Sequence, residues 1–484
     1  MSYFPRVKVE PGTLPIQVEG IVQVEPGVNP LDVVGSVEVN GSTVIVEPGN
    51  DPLNTVIEPG VNPIPVSIDP MDSIKVEPGI TPVNVILTSI NNTSLNDAFG
   101  RLRVTMPATL FDGKTLNDTA PLKFDDQSVS GSGTSTTFNT NQSSVTLAVS
   151  NATAGRRIRQ SFQRFNYLPG KSHLILMTFV LGTPNTAIKK SVGYFNDKNG
   201  IILRMNGTTV EIVRRTFTSG SAVDNSVAQA SWNIDPLDGN GPSGVTIDFT
   251  KTQILVIDLE WLGVGRVRCG VNIDGVTYYF HQFSNANVLS VPYMGSPNLP
   301  VRYEIENTGA GVADSLACIC ATVMSEGGQD PIGTPFGVAN AALRTGINGS
   351  GATRYGLLGL RLKSTHIDQS VVIPTLLSII GTTANDAFAW ELVLNPTVAG
   401  TPTWNGVTNS SIEWFDGTNA NTVTGGTILL SGVAIAQTSG VQVSPLDNVQ
   451  PGANIAGTPQ EFVLVIRPYT NMSAIAGMSW RELS

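Results

Sequence analysis

The residues best placed to do chemistry are two carboxylates, Asp258 and Glu260, in the run Ile254-Leu-Val-Ile-Asp-Leu-Glu-Trp261. On a strand, side-chain alternation puts both acids on one face, opposite Ile257, Leu259 and Trp261. Paired carboxylates can serve as acid and nucleophile in glycoside hydrolysis. Residues two apart on a strand are also about 7 Å apart along the backbone, and a solvated outer face accounts for them without any reaction. A second cluster, Asp235-Pro-Leu-Asp238-Gly-Asn240-Gly, offers Asp235, Asp238 and Asn240 as oxygen ligands around glycines that allow a sharp turn. Calcium loops need that combination, but the distal bidentate Glu is missing at the expected spacing, so a plain turn competes with a calcium site. Trp232, Tyr278 and Tyr279, with Phe280 and Trp261, could line a glycan-binding groove because flat apolar rings suit sugar faces; packing in a core is their other use.

The remaining candidates point to structure. Cys318 and Cys320 lie two apart in Leu316-Ala-Cys-Ile-Cys-Ala-Thr-Val-Met324, which on a strand puts them on one face as small core residues. Three cysteines cannot form a full disulfide framework, and His173, His281 and His366 are too scattered to complete a zinc site. Arg156, Arg157, Arg159 and Arg164 form one local basic cluster, expected on a solvated or inter-subunit face. No Gly-rich phosphate loop, nucleophile elbow or paired-histidine motif is readable.

These residues sit in a chain composed for β-structure. Of 484 residues only 14% are charged, Gly numbers 49 and Pro 31, and no long amphipathic helical run appears. The net charge of −10 gives no general attraction for phosphate backbones or anionic lipid, so neither nucleic acid nor a membrane is an expected partner. The longest apolar runs, Val371 to Ile380 with Pro374 inside it and Leu316 to Met324, fall short of a bilayer span. The N-terminus has no basic region followed by an apolar stretch, so synthesis and folding in a cytoplasm are expected.

The strongest internal signal is the motif Glu-Pro-Gly-x-x-Pro, which recurs five times: Glu10-Pro11-Gly12, Glu25-Pro26-Gly27, Glu47-Pro48-Gly49, Glu58-Pro59-Gly60 and Glu77-Pro78-Gly79, closing at Pro15, Pro30, Pro52, Pro63 and Pro82. Pro-Gly suits the two central positions of a type II turn, because Pro fixes the first φ and Gly supplies the positive second φ. Copies are separated by 15, 22, 11 and 19 residues, too irregular for identical stacked rungs. Residues 1–93 therefore read as an arm rather than a solenoid. The arm has too little apolar mass to close a core by itself, so its Val and Ile side chains need sister chains or a partner surface, and it is an assembly element. A flexible Pro-rich linker is the competing reading.

After the arm, strand and turn signals alternate every eight to twelve residues, as in a sandwich or barrel. Ile201 to Val213 reads as a hairpin turning at Asn206-Gly207, and Arg266 to Phe283 as one turning at Asp274-Gly275. In the second, Val267, Cys269 and Val271 alternate with Arg266 and Arg268 to give one buried and one wet face. Glu326 to Pro335 is loop-like. The expected architecture is all-β: arm 1–93, a lectin-like, jelly-roll-like β-sandwich over 94–330, a linker over 331–365 and a C-terminal β-sandwich over 366–484.

Several stretches resemble a group of virion proteins of tailed phages of aquatic bacteria and of large algal viruses. They are Ser94-Leu-Asn-Asp-Ala-Phe-Gly-Arg-Leu-Arg-Val104, Val192-Gly-Tyr-Phe-Asn-Asp-Lys-Asn-Gly200, Leu237-Asp-Gly-Asn-Gly-Pro-Ser-Gly-Val245, Glu260-Trp-Leu-Gly-Val-Gly-Arg-Val-Arg268 and Pro297-Asn-Leu-Pro-Val-Arg-Tyr-Glu-Ile305, and the likeness runs on to Trp480-Arg-Glu-Leu. The arm is not part of it. The resemblance implies a particle protein and carries no catalytic residues. The expected function is a non-enzymatic fibre, spike or decoration protein in the virion, homotrimeric because an arm without a core needs partner chains. It would touch other virion proteins and could contact host glycans. A lectin-type receptor-binding adhesin and a polysaccharide depolymerase are the rival readings.

Overall fold

The structure, a computed structural model, describes residues 96–103, 106–330, 332–382, 387–436, 441–443 and 449–483. The expected arm turns between Glu10 and Gly79 lie outside the described residues. Those residues form β-strands and two single-turn 3-10 segments, with no α-helix. None of their helices could cross a membrane.

Two antiparallel sheets enclose the first core. One runs in the order Val276–Phe283, Val267–Ile273, Gln253–Leu259, Ser172–Val180, Asp314–Glu326, Ser144–Val149 and Thr134–Asn139, with Ala108–Lys114 also pairing with Asp314–Glu326. The other runs Val223–Ala228, Thr209–Thr216, Gly200–Asn206, Ile188–Phe195, Val301–Asn307, Gly155–Ser161 and Phe124–Gly131. The chain passes repeatedly between the sheets, giving the nested order of a jelly-roll-like sandwich. Side chains such as Ile175, Met177, Leu255 and Ile257 from the first sheet meet Val192, Leu203, Ile212 and Ile305 from the second. Period-two alternation explains why these residues point inward.

Both expected hairpins form, with one adjustment. Asp274 (φ 50°) and Gly275 (φ 84°) fill the two central positions between Ile273 and Val276, where both residues of a type I′ turn need positive φ. In the other, Asn206 pairs with Thr209, so the central residues are Gly207 and Thr208, one place on from the Asn-Gly reading. Only Gly207, at φ 62°, takes the left-handed conformation there. The two cysteines do not share a face. A bulge between Cys318 and Ala321 reverses the alternation, leaving Cys318 buried and Cys320 half-buried.

The stretch 331–365 is not a linker. It supplies Thr334–Ala339 and Arg344–Ile347, which pair with Met472–Leu483, and Tyr355–Leu362, which lies inside a sheet. Gly359 is why the last of these was hard to read as core: a Cβ there would lie 2.0 Å from the Phe415 ring, so glycine leaves room for an aromatic side chain. The second sandwich therefore begins near Thr334. One sheet contains Thr334–Ala339, Met472–Leu483, Val371–Gly381 and Val441–Val443; the other runs Asn405–Gly406, Ile412–Asp416, Tyr355–Leu362, Glu461–Pro468, Ala387–Leu394 and Thr427–Ile435. Trp480, fully buried, stacks against Phe336 with ring centroids 6.0 Å apart. Pro374 is accommodated because the ladder to Met472–Leu483 shifts register between Pro374 and Leu376, while the neighbour Val441–Val443 reaches only Leu377 to Ile379.

The sandwiches meet through side chains that bond main-chain atoms. Arg164 donates to the Ala453 carbonyl at 2.9 Å and reaches the Asp368 carboxylate at 3.2 Å; Asn298 donates to the Gln369 carbonyl at 3.1 Å, and Gln450 to the Arg164 carbonyl at 2.8 Å. The Ile455 N–H donates to Asp125 at 2.8 Å. A cavity of about 460 Å³ lies at this junction, lined by Phe111, Phe165, Val371, Leu394 and Phe462 among others.

The basic cluster is absorbed by the fold. Arg156 forms a two-pronged pair with Glu304 at 2.8 and 2.9 Å, and Arg157 donates to Thr136. Arg159, 1% exposed, pairs with Asp126 at 2.5 Å and lies over the Phe124 ring, while buried Arg164 joins the sandwiches. The expected solvated face is thus replaced by internal pairing, which compensates desolvated guanidinium groups.

His173 gives this core a pH dependence. Its Nε2–H donates to the Asn166 carbonyl at 3.1 Å, and burial holds its pKa down to about 4 against an ordinary 6.5. Burial lowers His281 likewise, to about 4, with its Nδ1 accepting the Asn233 N–H. Both rings must gain protons on unfolding in mild acid. Their stabilisation is therefore complete above pH 6.5 and is lost as pH falls toward 4. His173 alone should account for about 3 kcal/mol over that window. Urea titrations between pH 7 and 4 should show a midpoint falling with acid, and the fall should be shallower in His173→Gln.

Candidate functional site

The outer face of the eight-stranded sheet holds a buried charge cluster. Asp258 and Arg268 are register partners on neighbouring strands, both fully buried. The Arg268 guanidinium bonds the Asp258 Oδ2 through two nitrogens, one of them Nε at 3.2 Å, and sits 4.3 Å from the Tyr279 ring centroid. The Tyr279 hydroxyl donates to the same oxygen at 3.1 Å. One strand pair away, Glu326 and Ser172 are register partners, and the Ser172 hydroxyl donates to Glu326 Oε2 at 2.7 Å. Arg103 joins the two groups, donating to Asp258 at 2.8 Å and to Glu326 at 2.5 Å. Two guanidiniums and two carboxylates balance.

Arg103 belongs to the segment 96–103, which precedes the first strand. Asn96 and Leu102 form an isolated antiparallel bridge, closed by hydrogen bonds from Asp97 N–H to the Arg101 carbonyl and from Gly100 N–H to the Asp97 carbonyl. Gly100, at φ 80°, supplies the left-handed residue of this turn. The Asp97 carboxylate accepts the Arg101 N–H and side chain, both at 2.8 Å. The turn is then fixed to the sheet by its backbone. Arg266 donates to the Ala98 carbonyl at 2.8 Å, Arg268 to the Asn96 carbonyl, and Arg101 to the Gly170 carbonyl at 2.9 Å. Ala98 is 1% exposed beneath it. Residues 96–103 thus act as a clasp over the sheet.

The electrostatics follow from this burial. Burial is the larger influence on Asp258 and pushes its carboxyl up, while Arg268 and Arg103 pull it back. For Arg103 burial opposes the charge, but Asp258 and Glu326 together outweigh it and hold the pKa above its ordinary value. Burial first, then the Asp258 charge, raises the Tyr279 phenol to about 12.

The expected wet face bearing Asp258 and Arg268 is therefore covered, and the two acids are unequal. Asp258 is committed to Arg103, Arg268 and Tyr279; Glu260 is only half-buried and accepts the Arg266 N–H at 3.3 Å. Asp258 is not available as a glycosidase carboxylate.

The ring platform is also not built. Trp232, 5% exposed, stacks on Phe280 with centroids 4.0 Å apart and donates to the Val227 carbonyl. Tyr279 is 4% exposed, and Tyr278 packs partly buried against the same core. Asp235, Asp238 and Asn240 make a closed loop: the Asp235 carboxylate accepts Leu237 and Ser243 N–H groups at 2.9 and 2.8 Å, and Asp238 accepts that of Asn240 at 2.9 Å. Backbone donors thus occupy both carboxylate oxygens of Asp235 and one of Asp238, and among the described residues no metal-holding cluster forms.

A polar cleft of about 570 Å³ opens beside the clasp, lined by Phe99, Gly100, Asn233, Glu260, Arg266 and Gln282. Arg103, Glu326 and Ser172, and this cleft, are what sequence reading missed. The available signal was three arginines, at 101, 103 and 266, in motifs of a chain otherwise poor in charge.

Replacing Asp258 with Ala should cost about 3–5 kcal/mol, because it strands the fully buried Arg268 guanidinium and removes one of the two carboxylates that hold Arg103. Glu260→Gln should stay within about 0.5 kcal/mol. Chemical denaturation of the two variants checks the contrast.

No family model matches the chain, and no curated protein matches it. Among solved structures, the metal-free lectin I-B4 of Griffonia simplicifolia is similar at 13% identity over 46% of this chain and 99% of that one, with a TM-score of 0.27. A legume lectin-like domain from Entamoeba histolytica is similar at 12% identity over 45% and 98%, TM-score 0.27. The CBM2 module of an evolved Dit from Lactobacillus casei BL23 phage J-1 is similar at 9% identity over 45% and 95%, TM-score 0.30.

Proposed function

We propose that the chain is a non-enzymatic structural component of a tailed-virus particle: a fibre, spike or decoration protein held to the virion through residues 1–93, with both sandwiches carried outward. The observation that carries this reading is the clasp. Tension entering at Asn96 passes through the Arg268 and Arg266 side chains and the Arg103 charge cluster into the middle strands of an eight-stranded sheet. Such a joint suits a chain that bears load between an attachment segment and a projecting body. The likeness of residues 94–104, 192–200, 237–245, 260–268 and 297–305 to virion proteins supports the same reading. Arms lacking a core of their own would close a homotrimer and dock on other virion proteins.

Deleting residues 1–93 should leave a soluble, folded body that retains the clasp and fails to join particles. Incorporation of the truncated chain at normal levels, measured on purified particles, would contradict the role given to the arm.

The polar cleft favours a second reading, contact with host glycans. It combines an aromatic ring, Phe99, with the amides of Asn233 and Gln282 and the Glu260 carboxylate, groups that suit sugar faces and hydroxyls. The full chain on a glycan array should then give a signal that Phe99→Ala and Gln282→Ala diminish. Silence across the array would leave the structural role alone.

A further inference from the structure

The buried cations of this fold are arginines, with one exception. Among the described residues Lys190 is the only fully buried lysine, 0% exposed, on Ile188–Phe195 of the seven-stranded sheet. It alternates in step with the core residues Ile188 and Val192, which points it into the space between the sheets. There it meets Asp314, the first residue of Asp314–Glu326 in the opposite sheet, with Nζ 2.7 Å from Oδ1. Arginine would grip a carboxylate with a planar two-pronged fork and would keep its proton. Lysine gives up that fork and brings an amine that becomes a nucleophile once a proton leaves.

The contacts around the amine set its direction. It donates to the Leu181 carbonyl at 2.5 Å, to the Thr183 carbonyl at 3.4 Å and to Asp314 Oδ1 at 2.7 Å. Two of its hydrogens are held by carbonyls, which do not take up a proton, so the third is the one that transfers. The lone pair left behind then faces the Asp314 carboxyl. Burial holds the Lys190 pKa below its ordinary value, against the pull of Asp314, which eases that transfer. With Nζ bonded to one carboxyl oxygen, Cγ lies about 3.5 Å away, within the range of a near-attack arrangement. The Ser315 N–H donates to Oδ1 at 2.7 Å and holds the carboxyl in place. Oδ2 accepts the Asn185 side-chain N–H at 2.7 Å, a donor set where negative charge gathers when a nucleophile adds to Cγ.

We propose that Lys190 and Asp314 condense spontaneously into an isopeptide bond that ties the two sheets of the first sandwich together. A proton passes from Nζ to Oδ1, the freed lone pair forms the Nζ–Cγ bond, and the Cγ–Oδ1 bond breaks. Oδ1 leaves as water with two hydrogens that began on Nζ, Oδ2 stays as the amide carbonyl, and Nζ keeps one hydrogen. No oxidant, reductant or cofactor enters the step. Two groups held in contact by packing react at effective concentrations on the order of 10⁵ M or more, which offsets the reluctance of an acid and an amine to condense in water. The water departs at the rim, where the Asp314 side chain is 11% exposed. The bond joins residues 124 apart in the chain. The neighbouring pair Lys189–Glu306, about one-third exposed on both sides, lacks this enclosure and remains an ion pair. The inference rests on the site alone and is independent of the role given to the arm.

The test weighs the intact full chain by mass spectrometry and maps its peptides. After incubation at neutral pH the folded wild type should be lighter than its sequence requires by the mass of one water. Trypsin should fail to cut after Lys190 and should release one branched peptide containing both Lys190 and Asp314. Lys190→Arg, which keeps the charge pair, should show its full mass and unfold at a lower temperature than the wild type. The wild-type peptide map decides by itself, so a variant that fails to fold does not weaken the result. A folded wild type of full mass overturns the proposal. Loss of one water located at Asp274-Gly275 as a succinimide, with Lys190 unmodified, overturns it too. So does loss of one ammonia with Lys190 joined to Asn185, which would make the amide and not Asp314 the electrophile.

Discussion

The buried pairing of Asp258 with Arg268, completed by Arg103, is the constraint on which the arrangement of the first sandwich depends. Charges taken out of water are costly unless each meets a partner and further hydrogen bonds satisfy the remaining donors. Arg268 alone would neutralise Asp258. The second carboxylate, Glu326, requires a second cation, and Arg103 in segment 96–103 supplies it. The outer face of the sheet is thereby incomplete without residues 96–103, which ties the position of the chain's entry to the electrostatics of the sheet. The polar cleft beside the clasp is a by-product of that geometry, since Arg266 serves both.

The β class and both tight hairpins were legible in the sequence because they rest on local rules: alternation, β-branched content and Gly-containing turns. The clasp was not legible. Arg103 lies 155 residues from Asp258 and 223 from Glu326, and no local pattern reports a partner at that distance. Alternation correctly put Asp258 and Arg268 on the face opposite the core, but it could not tell a solvated face from one covered by another segment. Trp232 and Tyr279 illustrate the converse error: their polar tips found carbonyl and carboxylate partners inside, so the rings were free to pack.

The same logic applies to the extra residue in Asp314–Glu326. Strict alternation would have kept Cys318 and Cys320 on one face, whereas the bulge changes which residues point inward from that place onward. Ala321, Val323 and Ser325 are consequently buried, and Glu326 arrives beside Ser172 in position to meet Arg103. In 331–365, loop-like composition at the start and glycines within the strands hid three strands whose partners, Ile412–Asp416, Glu461–Pro468 and Met472–Leu483, come much later in the chain.

The junction between the sandwiches is made largely by side chains that read carbonyls and backbone N–H groups rather than by matched side-chain pairs. Every residue type presents the carbonyl, and every type but proline the N–H. Substitution at Ala453, Gln369 or Ile455 by any residue but proline would therefore leave the acceptor or donor in place, whereas Arg164 with its partner Asp368, Asn298, Gln450 and Asp125 contribute through their side chains. A joint of this kind lets one module diversify in sequence while its seat on the other module is inherited unchanged.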